Sequence, residues 1–113
     1  MTDYMNQYKR GVRRSNNSGK GTPQPGEIWW VSNLDGIKDR PVLILEQNGN
    51  MYRCRKCTSQ SSAIRQRDVI EDYMEAGLDK ETYVDPEIRT LERNRLAWKL
   101  GVLSDYDRAT FGL

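Results

Sequence analysis

One segment limits the folds open to this chain more than any other: two β-type arms around an Asn-Gly dipeptide. The first arm is Arg40-Pro41-Val42-Leu43-Ile44-Leu45 and the second is Met51-Tyr52-Arg53-Cys54-Arg55-Lys56-Cys57-Thr58-Ser59, with Asn48-Gly49 between them. Asn-Gly suits a tight turn because both central residues can take positive φ, so the segment predicts an antiparallel hairpin. A two-residue loop pairs Gln47 with Asn50 and sets Arg40 opposite Cys57. A three-residue loop sets Arg40 opposite Thr58. Opposed residues share a face with side chains about 5 Å apart, so either register brings Arg40 to the Cys57–Ser59 segment.

At 113 residues the chain is one domain by length. Net charge is +2, but it is unevenly spread. Residues 1–25 carry Lys9, Arg10, Arg13, Arg14 and Lys20 against Asp3 alone, +4, leaving −2 for the rest. A polybasic arm on a near-neutral body suits contact with a polyanion, and equally a solvated tail. Residues 1–24 show no periodicity and end in Pro23-Gln24-Pro25-Gly26, so they read as a disordered arm before a domain spanning 25–113. No apolar run is long enough to span a bilayer and no signal-peptide core precedes the domain, so a cytoplasmic protein without membrane contact is expected.

Glu27-Ile28-Trp29-Trp30-Val31 reads as a first strand and the hairpin supplies two more. Val69, Ile70, Tyr73 and Met74 fall on one helical stripe, which predicts a helix over Asp68–Ala76 closed by Gly77. Thr82–Val84 and Ile88–Leu91 are extended, with Pro86 forcing an edge or an interruption. A further strand lies around Lys99–Leu103, and Ser104 with Asp107 resembles a capping box that starts a short helix to about Phe111. The expected class is α+β, mainly β: a small SH3-like barrel or curled antiparallel sheet with one middle and one C-terminal helix.

There is no histidine, so the usual general acid–base at neutral pH is missing and a metal site lacks its commonest ligand. Cys54 and Cys57 have the spacing of half a zinc site but no partners for it, and read as small apolar strand residues. No glycine-rich phosphate loop or nucleophile elbow is present. What remains is guanidinium, ammonium and hydroxyl groups: Arg40, Arg53, Arg55, Lys56, Thr58 and Ser59. These suit binding a phosphodiester and stabilising the charge of a pentacovalent phosphorane. RNA brings its own nucleophile, the 2′-OH, which favours RNA over DNA as substrate.

Gly26-Glu27-Ile28-Trp29-Trp30-Val31, then Arg40-Pro41-Val42-Leu43, then Cys57-Thr58-Ser59 resembles the MazF/PemK-like toxins of type II toxin–antitoxin systems. Gly77-Leu78 and Leu100-Gly101-Val102-Leu103-Ser104 resemble that family's second half. The resemblance implies a cofactor-free, metal-independent endoribonuclease (an mRNA interferase) acting on single-stranded RNA through 2′-OH attack. It further implies a homodimer restrained by a cognate antitoxin protein. It assigns catalysis to Arg40 and Thr58 with Ser59 beside them, and RNA binding to Arg53, Arg55, Lys56, Asn33 and Lys38. Asp35–Asp39 is shorter than the family's loop before the Arg-Pro pair, which keeps a second reading open: a non-catalytic module of the same fold that binds nucleic acid or protein.

Overall fold

The computed structural model describes residues 21–32, 39–59 and 68–113. Six antiparallel strands form one sheet: β1 (Glu27–Val31), β2 (Arg40–Asn48), β3 (Met51–Thr58), β4 (Val69–Ile70), β5 (Thr82–Glu92) and β6 (Leu96–Val102), followed by a helix, α1 (Asp105–Thr110). Their order across the sheet is β4-β5-β3-β2-β1-β6. The expected disordered arm and the 33–38 loop, with Asn33 and Lys38, fall outside the described residues apart from 21–24.

The sheet has to curl. β5 and β6 stand four places apart, about 19 Å in a flat sheet at about 4.8 Å per strand. Yet only the 3-10 turn Arg93–Arg95 joins them, and the four peptide units from Glu92 to Leu96 reach at most about 15 Å. The result is the expected mainly-β architecture, a curled antiparallel half-barrel.

Strand alternation divides the apolar side chains between the two faces. Adjacent Trp29 and Trp30, each 1% exposed, enter different cores. Ile28, Trp30, Leu43, Cys57, Val84 and Leu103 pack with Ile70, Ala76 and Leu78 on one face. Trp29, Val31, Val42, Ile44, Tyr52, Cys54, Leu91 and Leu96 pack on the other. Cys54 and Cys57, three apart on β3, are thereby buried in opposite cores, so Cys-x-x-Cys forms neither a chelate nor a disulfide here.

The hairpin forms with its turn one residue later than Asn48-Gly49. Asn48 pairs with Met51, leaving Gly49-Asn50 as the loop, with Gly49 at φ +67°. A bulge at Leu45 then resets the register, so that Ile44 faces Cys54 and Val42 faces Lys56. Turn and bulge together reach the alignment expected of the three-residue loop. Pro86 lies in a bulge where β5 inserts residues between the Cys57–Val84 and Arg55–Ile88 pairs, the interruption its missing N–H demands.

The middle helix expected over Asp68–Ala76 does not form. Val69 and Ile70 instead pair with Tyr83 and Thr82 as β4, and Glu71–Gly77 is a run of turns. The reason is non-local: the buried Asp107 carboxylate accepts the Glu71 and Asp72 N–H groups at 3.0 and 2.8 Å, and the run stops almost at once. Leu78 N–H donates to the Tyr73 carbonyl and Gly77 N–H to that of Met74, the paired bonds of a Schellman motif, with Gly77 at φ +86°. Gly77 thus caps a turn. Met74, placed by the stripe in the core, is 74% exposed. Ser104 does cap α1, its Oγ accepting the Asp107 N–H at 3.2 Å, but the Asp107 carboxylate serves the 71–72 turn.

Candidate functional site

The predicted pair lies on one sheet face. Val31 of β1, fully buried in the second core, faces Arg40. Val42, in the same core, faces Lys56, and two residues on that register sets Arg40 against Thr58. On its far side Thr58 faces Tyr83 of β5, and Tyr83 faces Val69 of β4. One row therefore runs Val31, Arg40, Thr58, Tyr83, Val69 across five strands. Arg40 and Thr58 are both half-buried, and Ser59 follows Thr58 just beyond the strand end.

The electrostatics agree with this placement. Burial foremost, then the neighbouring Cys54 thiol, pushes the Cys57 thiol from an ordinary 9.0 up to about 12, while the Arg55 and Arg40 guanidiniums pull it down. Arg40 is thus close enough to act on the residue before Thr58. A guanidinium keeps its proton at any working pH, so the row offers fixed positive charge beside a hydroxyl.

The other basic residues are not gathered together. Lys56 shares the face of Arg40 and Thr58 and pairs with Asp85 at 3.5 Å, a carboxylate in the Pro86 bulge. Arg55, one residue earlier, points to the opposite face. There it is held by Asp68, donates to the Asp85 carbonyl at 2.8 Å and lies 5.5 Å from the Phe111 ring centre. Arg53 is exposed and pairs loosely with Glu46 at 3.8 Å. Among the described residues no three His, Cys, Asp or Glu side chains converge as metal ligands.

Sequence reasoning missed two members of this surface, Asp85 and Tyr83. Pro86 signals a bulge, but not that the bulge sets a carboxylate beside Lys56. Tyr83 reads as one more strand aromatic until the β3–β5 register is known. Its hydroxyl donates to Glu81 Oε1 at 3.0 Å.

The fold has a solved counterpart. An endoribonuclease in complex with its cognate antitoxin from a mycobacterial species matches with a TM-score of 0.62, over 82% of this chain and 88% of that one. Sequence identity is 16%, so the likeness is one of fold. No family profile and no curated protein matches the sequence.

Proposed function

We propose that this chain is the toxin of a type II toxin–antitoxin pair, a MazF/PemK-like endoribonuclease that cleaves single-stranded RNA without a metal. The observation that carries the reading is the cross-strand pairing of Arg40 with Thr58; the fold shared with a toxin endoribonuclease supports it.

In this reading the scissile phosphate sits over the row. The Arg40 fork accepts two phosphate oxygens and stabilises the added negative charge of the phosphorane. Thr58 Oγ1 donates to a third oxygen, and Ser59 lines the rim. The RNA 2′-oxygen attacks phosphorus and the P–O5′ bond breaks. A 2′,3′-cyclic phosphate and a 5′-hydroxyl remain, the 2′-OH proton being lost and one proton gained by the leaving 5′-oxygen. Lys56, with Arg53 at the strand's outer end, adds sequence-independent attraction to the backbone. Arg55, Asn33 and Lys38 complete the proposed RNA contacts. The protein acts in the cytoplasm as a homodimer held inactive by a cognate antitoxin.

Purified protein should cleave single-stranded RNA in the presence of EDTA, leaving 5′-hydroxyl ends. Arg40→Ala should lower the rate by about 10²- to 10³-fold with an unchanged unfolding curve. Cleavage abolished by EDTA, or equal activity in the variant, overturns the proposal. Binding without cleavage across a varied RNA pool makes the chain a binding module instead.

A further inference from the structure

We infer that Tyr83 carries a nucleobase adjoining the scissile phosphate, a role that rests on the ribonuclease reading above and names the residue that seats the substrate's base. The placement follows from alternation. Thr82 and Val84, on either side of Tyr83, are 0% exposed, and Val84 belongs to the first core. Tyr83 therefore projects from the other face, where the β3–β5 register sets it directly beside Thr58. Thr58 thus stands between a guanidinium on β2 and a phenol ring on β5.

The order of groups along the row fits the order of groups in a nucleotide. Arg40 and Thr58 offer charge and a hydroxyl for the phosphate. Tyr83 offers a half-buried ring and, beyond it, Val69 an aliphatic wall. Opposed side chains stand about 5 Å apart, so the ring lies one strand away from the group that touches the phosphate. The Tyr83 hydroxyl is tethered to Glu81 at 3.0 Å, which holds the tip of the ring at the protein and leaves the ring's faces as its recognition surface. Unpaired RNA bases are bound in this way, by stacking on an aromatic face. The tryptophans do not compete for the role: Trp29 and Trp30 are buried, and Trp98 lies against Trp30 at 6.1 Å between ring centres.

The test uses a short single-stranded RNA whose cleaved bond has been mapped, together with its 2′-O-methyl analogue, which binds but has no nucleophile. A 2-aminopurine replaces the base next to the cleaved bond. Tyr83→Ala should raise KM for the RNA, and Kd for the analogue, about ten- to a hundredfold, and should abolish the quenching of 2-aminopurine seen with the wild type. Tyr83→Phe should restore quenching and most of the affinity. Tyr83→Leu keeps bulk without a π face and should behave as Tyr83→Ala, which settles the matter if the alanine variant does not fold. Wild-type KM and quenching in both the Ala and Leu variants overturn the inference while the ribonuclease reading stands. A wild-type protein that neither cleaves nor binds RNA overturns both.

Discussion

Gly77 and Gly101 meet backbone to backbone. A β-carbon on Gly101 would lie 2.4 Å from the Ala76 carbonyl oxygen, and one on Gly77 would lie 2.1 Å from that of Leu100. The turn over the first core therefore sits directly on β6, with no room for a side chain between them.

Gly101→Ala should destabilise the protein by about 1–3 kcal/mol, because the obstructing atoms are main chain and cannot rotate away. Chemical denaturation should show a lower midpoint with an unchanged slope. An unaltered midpoint would show that the two segments can separate at no cost.

Asp107 is 0% exposed and accepts two backbone N–H groups from residues 71 and 72, while Ser104 Oγ donates to the Asp72 carboxylate at 2.6 Å. Asp107→Ala strands both amides and should cost about 2–4 kcal/mol. Asp107→Asn keeps one acceptor and should cost less. Hydrogen exchange at Glu71 and Asp72 is the sharper measurement: both amides should lose protection in the alanine variant.

Lys56 and Arg55 should separate cleanly by phenotype. Lys56→Ala should lower the slope of log affinity for RNA against log salt by about one, with little change in stability. Arg55→Ala should reduce stability, because Asp68 and the Asp85 carbonyl lose their donor. Salt titrations of binding, run beside denaturation curves, read out both. Equal behaviour of the two variants would contradict their placement on opposite faces.

The thiols make stability fall in alkali. Burial raises Cys54 to about 12 against the opposing pull of Arg89, and Cys57 also stands at about 12, both from 9.0. Between pH 9 and 12 the unfolded chain loses these protons while the folded chain keeps them, so unfolding becomes easier as pH rises. The stabilisation is complete below pH 9. Unfolding free energies at successive pH values should converge between the wild type and a Cys54→Ala/Cys57→Ala variant as the pH climbs, and a constant gap would contradict the assignment.

What could be read from the sequence was what is local. β1, the hairpin and the Ser104-capped helix each carry their signal within a few adjacent residues. The register needed more, since a turn displaced to Gly49-Asn50 and a bulge at Leu45 offset each other, and neither has a distinctive residue pattern. Residues 68–76 were misread because a strand pair and a short turn can leave the same apolar spacing as a helix. The deciding partners, Thr82, Tyr83 and Asp107, lie well along the chain. In the candidate site, Arg40 and Thr58 followed from the hairpin, whereas Tyr83 and Asp85 required the β3–β5 pairing. Strand alternation alone separates Arg55 from Lys56.

The tight connection from β5 to β6 also sets the order of folding. The two strands leave the ribosome together but bond to different and much earlier partners: Ile88 to Arg55, and Lys99 to Trp29. The β2–β3 hairpin can zip as soon as it is made, yet one edge of β1 has no strand to pair with until Val102 has emerged. Closing loops of this length is slow, and sheets dominated by distant pairings fold on the millisecond-to-second scale. During synthesis Trp29 and Trp30 therefore wait on an open edge, the state in which this chain is most vulnerable to self-association.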